Sequence, residues 1–220
     1  MSRCIVSVGT GHYAPFITRM GAHLDRLGDT STRLFFTRLP KGSPTHAQNP
    51  YAFKLYAINE AVQAGHTSIL WLDSSIIPVS SLEPLWERIE TEGHYLWRSG
   101  FSVAQSCNDR CLAYFRITRD EAETMPEVAA GVVGLNLLRL PPTALLDQWH
   151  EAMEAGMFRG ARFHNPKESK DPRFLFHRQD QSALSCAANL LKMESEEQGN
   201  LVAYWPQQRN ERTIFIVQGY

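Results

Sequence analysis

Short apolar runs alternate with helix-period segments along this chain. Cys4 to Val8 is an apolar run ending in Gly9-Thr10-Gly11, the pattern of a buried strand entering a tight turn. Pro15 opens a helical stretch with Phe16, Met20, Leu24 and Leu27 on one face and Gly28 as its stop. Leu34 to Phe36 reads as a second strand and Pro40 to Pro50 as a polar loop. Tyr51, Leu55, Ile58 and Val62 recur at helical spacing before Gly65, and Thr67 to Leu72 forms a strand that halts at Asp73. Strand, helix, strand, helix, strand predicts a mostly parallel sheet with helices on its faces.

The second half continues the alternation less regularly. Ser81 begins a helix carrying Leu82, Leu85 and Ile89, stopped by Gly93, and Tyr95 to Trp97 follows as a strand. Thr118 and Glu121 have the spacing of a capping box for a short helix that Pro126 interrupts. Val128 to Leu138 reads as a small-residue strand with Gly131 and Gly134 inside it, where a bulge or a close approach to the backbone is expected. Pro142 starts a helix with Leu145, Leu146, Trp149 and Met153 that ends at Gly156. Met157 to Phe176 is basic and without period, a length of loop that usually binds something or covers a site. Gln179 to Leu191 returns to helix, and Thr213 to Val217 is a late strand.

Composition narrows the class. An apolar fraction of 43% and a charged fraction of 20% over 220 residues suit one ordinary globular domain with a decorated rim. A formal charge of −1 gives no global pull toward nucleic acid or anionic membrane, although Arg159, Arg162, Lys167, Lys170, Arg173 and Arg178 crowd into one stretch, as a solvated loop or a phosphate track. The amino-terminal apolar run is too short for a signal peptide and no stretch is long enough to span a bilayer, so the expectation is a cytoplasmic protein that makes no use of a membrane. In that setting Cys4, Cys107, Cys111 and Cys186 are expected as free thiols. Cys107 and Cys111 as a single pair make a poor zinc site.

In open α/β sheets ligands bind beyond the carboxyl ends of the strands. Two such ends carry chemistry: Gly9-Thr10-Gly11-His12-Tyr13, and Asp73-Ser74-Ser75. Four apolar residues, Ile69 to Leu72, deliver Asp73 to the rim. Its carboxylate either holds Mg²⁺ or Mn²⁺ beside a diphosphate or caps the following turn.

Ile69 to Ile76 resembles the acidic D-x-D segment of GT-A glycosyltransferases, with Ser75 in place of the second acid. Lys54 and Tyr56 to Ala61 resemble the helix before that segment, Ala129 to Asn136 is similar to the family's small-residue strand along the donor-sugar pocket, and His177 to Leu184 resembles the segment whose Asp-Gln pair faces sugar or acceptor. The pieces fall in the family's order over roughly residues 1 to 192 and imply a single-domain, Rossmann-like GT-A fold: a three-layer α/β/α arrangement around a mostly parallel mixed sheet. Residues 1–75 would form its nucleotide-binding half and 76–220 its sugar and acceptor half, with the basic loop at 157–178.

The resemblance also implies roles. Gly9, Thr10 and Gly11 would hold the nucleotide, with Tyr13 stacking on its base or serving as an ordinary helix-entry aromatic. Lys54 would meet phosphate. Asp73, Ser74, Ser75 and Gly131 would line the donor site, with Asp73 and Ser75 as metal ligands and His177 a further candidate. His164 and His177 are candidate metal or diphosphate contacts, their plainer alternative being loop histidines that do neither. Asp180 would act as general base toward the acceptor or bind the transferred sugar, its plainer alternative being a helix N-terminal carboxylate. Gln181 would fix sugar hydroxyls.

The function implied is transfer of a sugar from a nucleoside-diphosphate donor, such as a UDP-sugar, to a hydroxyl of a saccharide or small molecule, with Mn²⁺ or Mg²⁺ assisting. Two alternatives accompany it: a GT-A-like protein that binds nucleotide or carbohydrate without turnover, and a transferase acting on hydroxylated bases of modified DNA through the loop 159–178.

Overall fold

The sheet is built from runs that bury both faces. In the computed structural model, which describes residues 2–205 and 210–217, the chain runs β1 (Arg3–Val8), a 3-10 turn (Gly11–Tyr13), α1 (Ala14–Arg26), β2 (Thr32–Phe36), α2 (Phe53–Gln63), β3 (Ser68–Leu72), β4 (Ile76–Pro78), α3 (Glu83–Glu92), β5 (His94–Tyr95) and β6 (Arg98–Ser102). It continues α4 (Val103–Ser106), α5 (Asp109–Phe115), α6 (Arg119–Thr124), β7 (Pro126–Val128), β8 (Val132–Asn136), α7 (Leu140–Glu154), α8 (Asp180–Leu190), β9 (Val202–Tyr204) and β10 (Phe215–Val217).

Five strands form the central sheet in the order β2-β1-β3-β8-β5. β1 pairs parallel with β2 and β3, while β8 runs antiparallel to both β3 and β5. Four of the five therefore point one way, and the sheet is mixed and mostly parallel. Side chains alternate across it as the two-residue period requires. Cys4, Val6, Ile69, Trp71, Val133 and Leu135 enter a core with α2, α5, α7 and α8. Ile5, Leu70, Leu72 and Val132 enter a second core with α1 and α3. This double burial is why β3 reads as an unbroken apolar run rather than an alternating one.

Several elements differ from the sequence pattern. Ile17, not Phe16, takes the core position with Met20 and Leu24 on α1, because spacings of three and four residues bring 17, 20 and 24 onto one face. Of the Tyr95–Trp97 run only Tyr95 joins the central sheet, with His94 before it, and Trp97 bridges instead to Glu196. The stretch 128–138 is divided: Val128 ends β7, which pairs with β6, β8 joins the central sheet, and Gly131 lies in the turn between them. Of the two glycines in the stretch, only Gly134 is inside a strand, where a Cβ would come within 2.5 Å of Ile89 on α3. The helix assigned to Pro142 onward starts at Leu140. β4, β10 and β9 form a separate three-stranded sheet. No helix of the described residues is long and apolar enough to cross a membrane.

Two features set up the rim. Because β8 runs against β3, its first residue Val132 pairs with Leu72, and the Asp73 N–H donates to the Gly131 carbonyl at 2.8 Å. On α8, side chains four residues apart bond the backbone leading into β8. Gln181 accepts from Ala130 N–H, Ser185 accepts from Val128 N–H and Asn189 donates to the Pro126 carbonyl. A one-sided polar stripe at helical spacing thus fixes the register of α8 against residues 126–130.

Candidate active site

Asp73 and Asp180 meet across one cleft. Asp73 stands at the end of β3 and Asp180 in the first turn of α8, and the Lys54 ammonium from α2 lies between them, 3.2 Å from Asp73 Oδ1 and 2.7 Å from Asp180 Oδ2. It also donates to the Ala130 carbonyl at 2.9 Å. Both groups of the Lys54–Asp180 pair are deeply buried, with side chains 1% and 5% exposed, whereas Asp73 is 35% exposed.

The electrostatics follow from that burial. For Lys54, desolvation works against the charge, but attraction to Asp180 and Asp73 outweighs it and the pKa rises above the ordinary lysine value. Asp180 is also raised above the ordinary aspartate value: burial pushes it up, Lys54 pulls it down, and the nearby Asp73 adds to the rise. Burying a lone carboxylate of this kind would cost several kcal/mol, about 3–5 when a partner is deleted. Lys54 is therefore the structural condition for two acids in one pocket.

Asp73 divides its two oxygens. Oδ1 accepts from the Trp71 indole N–H at 2.8 Å and faces Lys54. Oδ2 lies beside Gly131, where a Cβ would approach it to 3.4 Å. The bare glycine keeps that oxygen uncrowded.

The acids line a cavity of about 250 Å³ together with Tyr51, Ser75, Gly131, Gln181, Tyr204 and two arginines, Arg162 and Arg178. Hollows of about 550 and 680 Å³ elsewhere on the surface contain neither aspartate, so chemistry rather than size picks the site. Arg178 stacks near Phe176 and Phe101, with ring centroids at 5.1 and 5.9 Å, and its Nε stands 3.5 Å from the fully buried Glu127. Arg162 is exposed at the mouth. Gln181 uses its carbonyl on Ala130 N–H, which leaves its buried amide N–H₂ with no partner among the described residues. Burial also raises the tyrosine hydroxyls of Tyr51 and Tyr204. Tyr51 and Gln179 hold non-glycine residues at φ 58° and 57°, the backbone strain that tends to gather at working sites.

The sequence-derived residues fall into two groups. Asp73, Ser75, Lys54, Gly131, Asp180 and Gln181 come together in the cavity wall, and Ser74 is buried next to it in sequence. Lys54 requires a correction: the cation expected to meet phosphate is enclosed, with its ammonium directed at two carboxylates and a carbonyl. His177 requires another. It is fully buried away from the cavity lining, with Nε2 at 2.9 Å from the Met157 carbonyl and Nδ1 accepting from Asn108 N–H, so neither nitrogen faces a ligand. His164 bonds the Phe174 carbonyl through Nδ1. Gly9, Thr10, Gly11 and Tyr13 follow β1 at the same rim of the sheet as Asp73 but do not line the cavity. At Gly9 a Cβ would sit 2.7 Å from Ile17 and from the Tyr13 carbonyl, so that glycine answers to helix packing.

Arg162, Tyr51 and Tyr204 are wall residues that no motif contained, and Arg178 lay within the 177–184 segment without a role assigned to it. The basic run contained both arginines, but only the folded loop separates them from their neighbours. Arg173, for instance, pairs with Asp120, Glu123 and Asp171 and so serves the fold rather than the cavity.

A reversed strand beside β3, an acid at the β3 end and a second acid opening α8 give the molecule the GT-A architecture of the glycosyltransferases its motifs resemble. Among solved structures it is similar to mouse xyloside xylosyltransferase 1 in its apo form, at TM-score 0.54 and 10% identity over 98% of this chain and 97% of that one. The galactosyltransferase LgtC, solved with donor and acceptor sugar analogs, also aligns, at TM-score 0.46 and 13% identity over 92% of this chain and 76% of that one. No family model and no curated protein matches the sequence. At this identity the structural likeness to the xylosyltransferase shows the fold alone, and the chemistry has to be argued from the site.

Proposed function

We propose that the protein transfers a sugar from a nucleoside-diphosphate donor to an acceptor hydroxyl in the Asp73–Asp180 cavity. The observation that carries the reading is the pairing of an accessible carboxylate with a buried one across a single pocket whose mouth bears two arginines. A cavity of about 250 Å³ is below the roughly 300–1,000 Å³ of whole-ligand pockets. It suits the sugar ring, with the nucleoside reaching along the rim toward Gly9–Tyr13 and residues 1–75 supplying that half.

Each wall residue then has a task. Arg162 and Arg178 offset the diphosphate charge, Arg178 steadied by Glu127 and the two phenylalanine rings. The Gln181 amide donates to a sugar hydroxyl. Asp180, raised in pKa and turned inward, takes the acceptor proton or braces the transferred sugar. Lys54 holds both carboxylates in place and does not contact the donor.

The donor set for a divalent ion is small: Asp73 Oδ2, with Ser75 nearby in the wall. One carboxylate oxygen fits Mg²⁺ or Mn²⁺ when the donor's own phosphates and water complete the shell. The ion would supply neutralisation of the departing diphosphate. His177 is not a ligand in this arrangement.

Isothermal titration with UDP- and GDP-sugars, with and without Mn²⁺, tests the reading. Binding that Asp73→Ala weakens, accompanied by release of nucleoside diphosphate, supports it, and absence of binding to every donor under both conditions overturns it. Ser75 in place of a second acid favours one competing reading, donor binding without turnover. In that case Asp73→Ala leaves affinity unchanged and no donor hydrolysis is detected.

A further inference from the structure

Three thiols converge in the core that α8 shares with α5, and none of them lines the cavity. Cys107 follows α4, Cys111 lies in α5 and Cys186 in α8; all three are fully buried, and their sulfur atoms lie within 4.8 Å of one another. The sequence offered only the Cys107–Cys111 pair, which is too few ligands. The fold adds Cys186 from 75 residues further on.

We propose that Cys107, Cys111 and Cys186 form a structural site for one soft divalent metal ion of the Zn²⁺ type. The spacing suits it. Thiolates about 2.3 Å from a tetrahedral zinc stand about 3.8 Å apart, and Cys107 Sγ and Cys186 Sγ are separated by 3.8 Å. Trithiolate ligation also selects soft over hard cations. Three thiolates and one Zn²⁺ carry a net negative charge, and cations are at hand to offset it. Arg119 donates to the Ala104 and Cys107 carbonyls, and its charge and that of Arg110 act on the cluster.

The site would have a mechanical consequence. Ser182 Oγ donates to the Ser106 carbonyl, and Arg178 N–H donates to the same carbonyl. An ion joining Cys107 to Cys186 would therefore lock the 106–108 segment onto the helix that begins with Asp180, and fix the carboxylate.

The test does not depend on transferase activity. The whole protein is unfolded and refolded with equimolar ZnCl₂ under a thiol-free reductant, freed of loose metal, and its zinc content is measured. Cobalt is substituted in parallel and its absorption recorded. About one zinc per chain, sulfur-to-cobalt charge-transfer bands, a higher melting temperature with zinc, and loss of the metal in Cys111→Ser and Cys186→Ala are expected. Zinc below about 0.1 per chain, cobalt bound without sulfur bands, or a Cys107–Cys186 disulfide found by mass spectrometry when the reductant is left out and zinc is present would each overturn the proposal. Should the variants fail to fold, the wild-type metal count and cobalt spectrum still decide.

Discussion

Lys54 is the residue on which the site depends most. It sits on a helix, a position where a lysine normally points to water, yet it is buried between two acids. Lys54→Met, which keeps the volume and removes the charge, is expected to destabilise the fold by about 3–5 kcal/mol, because Asp180 is left buried without its cation. Urea denaturation of the two proteins measures this, and a change within about 0.5 kcal/mol, as for a surface site, would show that water already screens the pair. The pH dependence has a definite sign. Asp180 has a folded-state pKa above its unfolded value, so its contribution to stability is fullest at acid pH and falls as pH rises through that raised value. Asp180→Asn should flatten this part of the stability profile. If Asp180 is the base, the acid limb of kcat/KM lies above the ordinary aspartate range and disappears in the same variant.

At the scale of elements, two contacts set the active-site rim. The first is β8 on α3. Gly134→Ala places a methyl 2.5 Å from Ile89, and overpacking of this kind costs about 1–3 kcal/mol, measurable as a lower denaturation midpoint. An unchanged midpoint would mean that α3 can shift outward freely. The second is the polar stripe of α8. Ser185→Ala removes the hydroxyl that accepts from Val128 N–H while donating to the Gln181 carbonyl one turn back, and a loss of about 1–3 kcal/mol follows from leaving the buried Val128 N–H unpaired. The elements themselves were unequally legible. Strands buried on both faces and helices with a firm stop, such as α3 before Gly93, announce themselves by period. β4, β6, β7 and β9, of three to five residues each, do not: too few residues lie in each to establish a repeat, and their partners are distant in sequence.

The whole molecule brings charge to the cavity mouth. Arg162 and Arg178 belong to a loop without regular structure, and only the packing of that loop over the α8 N-terminus aims them at the pocket. If they bind the diphosphate, Arg162→Ala and Arg178→Ala each weaken nucleoside diphosphate affinity by roughly tenfold or more. Added salt weakens binding in the wild type more than in either variant. Titration at two ionic strengths separates the outcomes, and equal salt dependence in all three proteins would remove the arginines from the donor site.

Local order of residues determined much here: the apolar stems, the glycine stops, the Thr118–Glu121 box and the placement of acids at positions 73 and 180 at the ends of elements. These depend on neighbours a few positions apart, and short-range sterics and periodic burial suffice to express them. Tertiary structure alone decided that Lys54 faces inward, that His177 is locked between backbone groups, that Cys186 meets Cys107 and Cys111, and which arginines reach the cavity. Each of those outcomes is set by contacts between segments far apart in the chain, where burial and pairing of charge, rather than residue type, fix what a side chain can do.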